Sequence, residues 1–214
     1  MGEDTVIVVA GGARSPVRLD SLPVGAPVVA ADAGVDHALA LGLTVDIAVG
    51  DFDSVSPAGL AAARAAGARV ERHPAEKDAT DLELALDAAA ALRPRRLLVL
   101  GGDGGRLDHL VAGVLALGAE RYADLEVDAL LGSATAHVVR SERRVEGEPS
   151  ELVSLLALHG PAEGVVTEGL VYPLRGETLA PGSSRGVSNV FAGREARVAL
   201  ERGVLLLLRP GRTG

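Results

Sequence analysis

Val45-Asp46-Ile47-Ala48-Val49-Gly50-Asp51-Phe52-Asp53-Ser54-Val55-Ser56-Pro57 reads as a strand, a loop and the start of a helix. Val45–Val49 is a short β-rich run that ends at Gly50-Asp51. Ser56 is a capping hydroxyl and Pro57 suits the first helical position. That helix is expected to run to about Ala66, with Gly67 as its stop. The same run-then-turn pattern recurs at 5–10 before Gly11-Gly12, at Val28–Ala31 before Asp32, and at Leu97–Leu100 before Gly101-Gly102. Short apolar runs without polar alternation suit strands buried on both faces of a parallel sheet. Thr80-Asp81-Leu82-Glu83 has capping-box form, and its helix is expected to reach about Leu92 before Pro94. A further helix is expected from Leu107 to Tyr122. Strand and helix in alternation predict an α/β domain whose strand-to-helix loops form the ligand end.

Beyond about Arg140 helical periodicity disappears. Glu151–Leu158, Gly164–Glu168, Leu170–Leu174, Val187–Val190, Ala196–Leu200 and Val204–Leu208 are short runs parted by Gly, Pro, Ser or charged residues. They predict an antiparallel sandwich or small barrel. Polar Ser141–Ser150 reads as a linker, which gives an α/β domain over 1–140 and a β domain over 150–214.

The chain has 214 residues, enough for one large domain or two small ones. Hydrophobic residues make up 48% but aromatics only 2%, so the interior must be built from Ala, Val and Leu. No uninterrupted apolar run reaches the ~18 residues of a membrane span. The acidic start Met1-Gly2-Glu3-Asp4 does not read as a secretory signal. With no cysteine, disulfides and zinc-thiolate sites are excluded and a cytoplasmic location is expected. A net charge of −8 disfavours general nucleic-acid binding, so a polyanionic ligand would need a metal or a local basic spot. Lys77 is the one lysine in the chain, and it stands inside an acidic cluster.

Three acidic clusters follow the first strands: Ala31-Asp32-Ala33-Gly34, Gly50-Asp51-Phe52-Asp53-Ser54 and Lys77-Asp78-Ala79-Thr80-Asp81. In an extended loop Asp51 and Asp53 share a side, and Asp81 is placed to complete a shell. Each aspartate alone is better explained as a helix-start residue. Gathered at the ends of successive strands, carboxylates repel one another unless a cation holds them. A hard divalent ion such as Mg²⁺ takes oxygen ligands and shares its shell with substrate phosphates. The pattern points to a Mg-nucleotide enzyme. Gly101-Gly102-Asp103-Gly104-Gly105-Arg106-Leu107-Asp108-His109 supplies a backbone that can approach a phosphate, and Arg106 adds a forked cation. It is neither a Walker loop nor a dinucleotide fingerprint. Asp108 reads as a cap or a partner of Arg106, and His109 as a helix-start residue. Ser188 and Asn189 read from spacing alone as turn residues.

In this order, these motifs together with Ser183-Ser184-Arg185-Gly186-Val187-Ser188-Asn189 resemble the thiamine pyrophosphokinase family. The resemblance runs roughly from Val6 to Leu208. It implies a Rossmann-like, mostly parallel catalytic domain followed by an antiparallel β-sandwich, acting as a homodimer with a composite site. It implies transfer of a pyrophosphoryl group from the co-substrate ATP to the hydroxyl of thiamine, releasing AMP. Asp51, Asp53 and Asp81 then look like the metal acids. Asp78 joins them in the catalytic set, and either Asp78 or Asp81 takes the hydroxyl proton. Asp32, Lys77, Thr80, Gly102 and Arg185 are implied as further binding residues, with Gly104, Gly105, Arg106 and Asp108 on the nucleotide side and Ser188 and Asn189 on the thiamine side. Some members stack the vitamin ring on a late Trp. This chain has no Trp, so Phe191, Tyr172 or aliphatic side chains must serve. Three rival readings remain: a phosphohydrolase built on Asp51-Phe52-Asp53, a pyrophosphokinase for another alcohol such as a pterin, and a non-catalytic nucleotide or thiamine sensor.

Overall fold

A computed structural model describes residues 4–12, 19–102 and 106–211. It divides the chain into two units, 1–116 with 124–132, and 117–123 with 133–214. The first unit holds strands β1 (Thr5–Val9), β2 (Val28–Ala31), β3 (Ile47–Gly50), β4 (Arg69–Arg72), β5 (Arg96–Leu100) and β6 (Glu126–Leu131). Its helices are α1 (Gly34–Ala40), α2 (Pro57–Ala65), α3 (Asp81–Ala91) and α4 (Leu107–Leu117). The strands lie in the order β4-β3-β2-β1-β5-β6, and every neighbouring pair is parallel. This is the mostly parallel, Rossmann-like sheet that was expected. Sequence order runs outward from β1 and resumes on its other side at β5, so the switch point lies between β1 and β5.

β1, β2 and β3 are buried at every position, which is why they read as unbroken apolar runs. β4 (Arg-Val-Glu-Arg) is an edge strand with exposed arginines, and that polar edge hid it from the apolar pattern. The helix starts formed as their caps dictate. The Ser56 hydroxyl accepts the Gly59 amide at 2.9 Å. Thr80 and Glu83 close a reciprocal box, with Glu83 N–H on Thr80 Oγ1 at 3.2 Å and Thr80 N–H on Glu83 Oε2 at 3.1 Å. The helix expected over 107–122 comes in two pieces. α4 stops at Leu117, and a separate 3-10 turn covers Glu120–Tyr122 after Gly118-Ala119.

The second unit contains β7 (Ala134–Val139), β8 (Glu142–Glu146), β9 (Leu152–Glu168), β10 (Arg175–Leu179), β11 (Asn189–Val190), β12 (Glu195–Ala199) and β13 (Arg202–Arg209). Every strand pair in it is antiparallel. β9 merges two expected strands, because His159 (φ 59°) and Gly160 (φ 158°) lie within it without ending it. It pairs with β13, β12, β10 and β11. Its inward residues Val153, Leu155 and Val165 join Leu174, Phe191, Val198 and Leu205 in one core.

Two boundaries differ from the sequence reading. The segment 141–150 is not simply a linker, since β8 pairs with β12 from Glu142 opposite Ala199 to Glu146 opposite Glu195. β8 is charged except at buried Val145, and it makes diagonal ion pairs to β12, Arg144 with Glu195 and Glu142 with Arg197. Beyond the 117–123 segment, the second unit begins at 133. Leu170–Leu174 forms only a bridge from Leu170 to Phe191, and the strand there is β10.

Candidate functional site

The site is built at the carboxyl ends of β2 and β3. Asp32 follows β2 with a left-handed backbone (φ 44°), a conformation that aspartate tolerates better than most residues. Its amide donates to the Val49 carbonyl at 2.9 Å, which ties the ends of β2 and β3 together. Two glycines make room. A Cβ at Gly34 would lie 2.0 Å from the Val9 carbonyl oxygen, so only glycine lets α1 start against β1. A Cβ at Gly50 (φ 146°) would meet Asp81 Oδ1 at 3.0 Å and Asp32 Cβ at 3.2 Å. The bare backbone of Gly50 thus lies between two acids.

The loop after Gly50 is held from several sides. Phe52 takes φ 64°, an unusual state for a bulky residue. The Arg72 guanidinium lies 4.9 Å from the Phe52 ring centroid and donates to the Asp51 carbonyl. Asp51 Oδ1 accepts the Asp53 amide at 3.3 Å, and Asp53 Oδ1 accepts the Ser54 hydroxyl at 2.6 Å. The Ser54 amide donates to Asp32 Oδ1 at 3.4 Å. Farther along, the amide and hydroxyl of Ser56 each donate to Asp36 at 2.7 Å, which fastens the loop to α1. Sequence reading missed Asp36 because its partner is 20 residues away. It left one trace, Gly59, where a Cβ would sit 1.9 Å from Asp36 Oδ1.

The outcome is convergence. One carboxylate oxygen each from Asp32, Asp51 and Asp53 lie within 4.8 Å of one another. An all-carboxylate donor set suits a hard divalent cation such as Mg²⁺. Burial raises the Asp32 pKa above the usual carboxylate value; the amides of Ala33 and Ser54 oppose the rise, and the Asp81 charge adds to it.

Asp81 stands beside this trio rather than in it. Its Oδ1 is 2.8 Å from Lys77 Nζ, and the same ammonium lies 3.5 Å from Asp51 Oδ2. Burial works against the Lys77 charge. Pairing with Asp81, and then Asp51, outweighs that and raises its pKa. Thr80 is taken up by the capping box of α3, and Asp78 lies exposed in the preceding loop.

At the switch point the ends of β1 and β5 are pinned together. Gly102 donates to the Gly11 carbonyl at 2.8 Å, and Gly101 to Leu130 at 3.0 Å. A Cβ at Gly101 (φ 85°) would lie 2.8 Å from the Ala10 carbonyl oxygen. Gly104 and Gly105 lie outside the described residues. Arg106 and Asp108 form an exposed two-point pair at 3.2 and 2.6 Å, which raises the pKa of Arg106 and lowers that of Asp108.

In the second unit Arg185 pairs with Glu177 at 2.9 and 3.0 Å. Ser188 is exposed with φ 56°, and its amide donates to Ser154 Oγ at 3.1 Å. Asn189 is buried and clamps Tyr172. Its Oδ1 accepts the Tyr172 amide at 3.0 Å, and its Nδ2 donates to the Tyr172 carbonyl at 2.7 Å. Of the two aromatic candidates, Phe191 is only 1% exposed and belongs to the core, so it presents no ring face. Tyr172 is 58% exposed.

Fold and site together define an α/β enzyme with an acidic centre at the carboxyl edge of a parallel sheet. The family profile described as thiamin pyrophosphokinase, catalytic domain, matches residues 25–127, and that of the thiamin pyrophosphokinase vitamin B1 binding domain matches 136–205. Thiamine pyrophosphokinase of Bacillus subtilis (strain 168) is 26% identical over 182 residues, which are 83% of this chain and 84% of the relative. The crystal structure of thiamine pyrophosphokinase from Bacillus subtilis superposes with a TM-score of 0.86 at 24% identity, covering 98% of this chain and 100% of the other. That of thiamin pyrophosphokinase from Geobacillus thermodenitrificans gives 0.82 at 27% identity, covering 98% and 99%. The chain belongs to the thiamin pyrophosphokinase family.

Proposed function

We propose that this enzyme transfers the pyrophosphoryl group of ATP to the hydroxyl of thiamine, yielding thiamine diphosphate and AMP, with Mg²⁺ at its acidic centre. Beside the family match, the observation that carries this reading is the convergence of Asp32, Asp51 and Asp53 at the ligand end of the parallel sheet. These three would hold the ion, with Asp81 next to them. When bound, Mg²⁺ supplies charge neutralisation on the triphosphate oxygens.

The protein's own groups do the remaining work. Arg106 and the glycine turn bind phosphate oxygens and orient the β-phosphorus for in-line attack. The hydroxyl oxygen of thiamine bonds to that phosphorus as its bond to the oxygen bridging the α-phosphate breaks, and AMP leaves. Asp81 Oδ1 already faces the Lys77 ammonium at 2.8 Å, whereas Asp78 is exposed in the preceding loop. The hydroxyl proton is therefore assigned to Asp78. In this reading Ser188 serves the vitamin side, Tyr172 offers the aromatic face, and buried Asn189 acts through its hold on Tyr172. The enzyme acts as a homodimer with a composite site, which mass measurement in solution tests. Among the described residues no helix is long and apolar enough to cross a membrane.

The test is to incubate the purified protein with Mg-ATP, with and without thiamine, and to identify the nucleotide product. Thiamine-dependent AMP is expected. ADP or free phosphate points to another phosphoryl transfer or to hydrolysis, AMP formed with a pterin instead points to another alcohol, and binding without turnover points to a sensor.

A further inference from the structure

Four carboxylates, those of Asp32, Asp51, Asp53 and Asp81, crowd the ends of β2 and β3 and the start of α3. Like charges so close cost stability unless a cation is present. Among the described residues, the ion pairs of Asp51 and Asp81 are made with Lys77. The lysine side chain is 14% exposed. The Oδ1 atom of Asp81 is shut off from water, and the ammonium faces it at 2.8 Å. Arg72 is another cation at this loop, and among the described residues its hydrogen bond goes to the Asp51 carbonyl. The residue type fits the task. An ammonium is a compact point charge on a flexible stem, able to sit between two carboxylates, whereas a guanidinium is a broad planar fork. In a chain whose every other Lys/Arg position is arginine, lysine stands here alone.

We infer that Lys77 is the resident counter-charge of the acidic centre: it holds Asp81 and Asp51 in place in the metal-free protein, and so leaves Asp32, Asp51 and Asp53 as the face offered to a divalent cation. Lys77 is thus a positioning residue. The second half of the inference rests on the Mg²⁺ reading given above; the first half does not.

The experiment compares the full chain with Lys77→Met, Asp81→Asn and the double variant by thermal melting in EDTA, then with MgCl₂ at constant ionic strength. In EDTA, Lys77→Met is expected to melt about 4 °C lower, the scale of one lost ion pair in a chain of this size. Adding Asp81→Asn should recover most of that loss, because the carboxylate stranded by the missing ammonium is then neutral. Mg²⁺ should bind Lys77→Met about tenfold more tightly than the parent, because the cluster has lost one positive charge.

Parent-like melting of Lys77→Met in EDTA would overturn the inference. So would a loss that persists in the double variant, since it would trace to packing of the lysine stem. Equal Mg²⁺ affinity in parent and Lys77→Met would overturn the division of labour. If Mg²⁺ shifts none of the proteins while the double variant still recovers, the counter-charge stands and the divalent-cation reading fails.

Discussion

Two groups of charges in this chain are arranged by opposite rules. At the carboxyl ends of β2 and β3, charges of one sign are gathered and partly buried, and among the described residues their ion pairs are made with one ammonium. On β8, β12 and β9, charges of both signs alternate in the open. Arg144 pairs with Glu195 at 2.9 Å, and Arg197 with Glu142 at 2.6 Å and Glu168 at 3.0 Å. The second arrangement is complete as it stands and needs no ligand. The first gathers like charges, which repel one another, and the proposed divalent cation would offset that repulsion. A gathering of like charge marks a candidate site for chemistry, whereas paired charges on an edge strand blunt that edge as a template for further strands.

The largest effect should come from the acidic side. Asp51→Asn and Asp53→Asn are expected to lower AMP formation by about 10²-fold or more while melting stays cooperative, because each removes charge from the face that neutralises the triphosphate. Steady-state turnover at saturating ATP checks this, and near-parent rates would remove that residue from the centre.

Asp32→Asn sharpens the contrast through pH. The folded protein raises the Asp32 pKa above the ordinary carboxylate value, chiefly by burial. A raised carboxyl pKa favours folding below the unfolded value, and the benefit is lost as pH rises through the folded value. At neutral pH the charged Asp32 therefore opposes folding. In EDTA, Asp32→Asn should melt a few degrees above the parent at neutral pH, and the gain should vanish in acid, where the parent side chain is itself protonated. Its turnover should fall even as stability rises. A variant less stable than the parent at neutral pH would show that the charge is already compensated.

A smaller change is expected at Tyr172. Tyr172→Ala should raise KM for thiamine by about three- to tenfold, the scale of one aromatic contact, with KM for ATP little changed. An unaltered thiamine KM would move the ring site elsewhere. The smallest effect belongs to the open lattice. Glu142→Gln should leave the melting temperature within scatter at ordinary salt, because exposed pairs are screened by water and ions.

The parts legible in the sequence were those where local chemistry decides the outcome. Ser56-Pro57 and Thr80-x-x-Glu83 are complete cap signals within four residues, and both helices start where those signals place them. Val28–Ala31 was legible because burial on both faces leaves no polar positions. β4 and β8 were obscure because edge strands are polar, and a polar run reads as loop or linker. The acidic residues of the centre were visible, but spacing did not show which of their carboxylates lie together in space. Asp32 comes in because the Gly50 backbone brings the ends of β2 and β3 together, while Asp81 turns to Lys77. Asp36 and the burial of Phe191 depend on partners far along the chain, which no local pattern records.

The most direct measurement is anomalous diffraction from crystals soaked in Mn²⁺, a stand-in for Mg²⁺ that takes the same oxygen donors. A peak bounded by the carboxylates of Asp32, Asp51 and Asp53, absent from Asp51→Asn crystals, is the expected result. Mn²⁺ bound elsewhere, with those three side chains turned apart, would contradict a divalent-cation centre at this edge of the sheet.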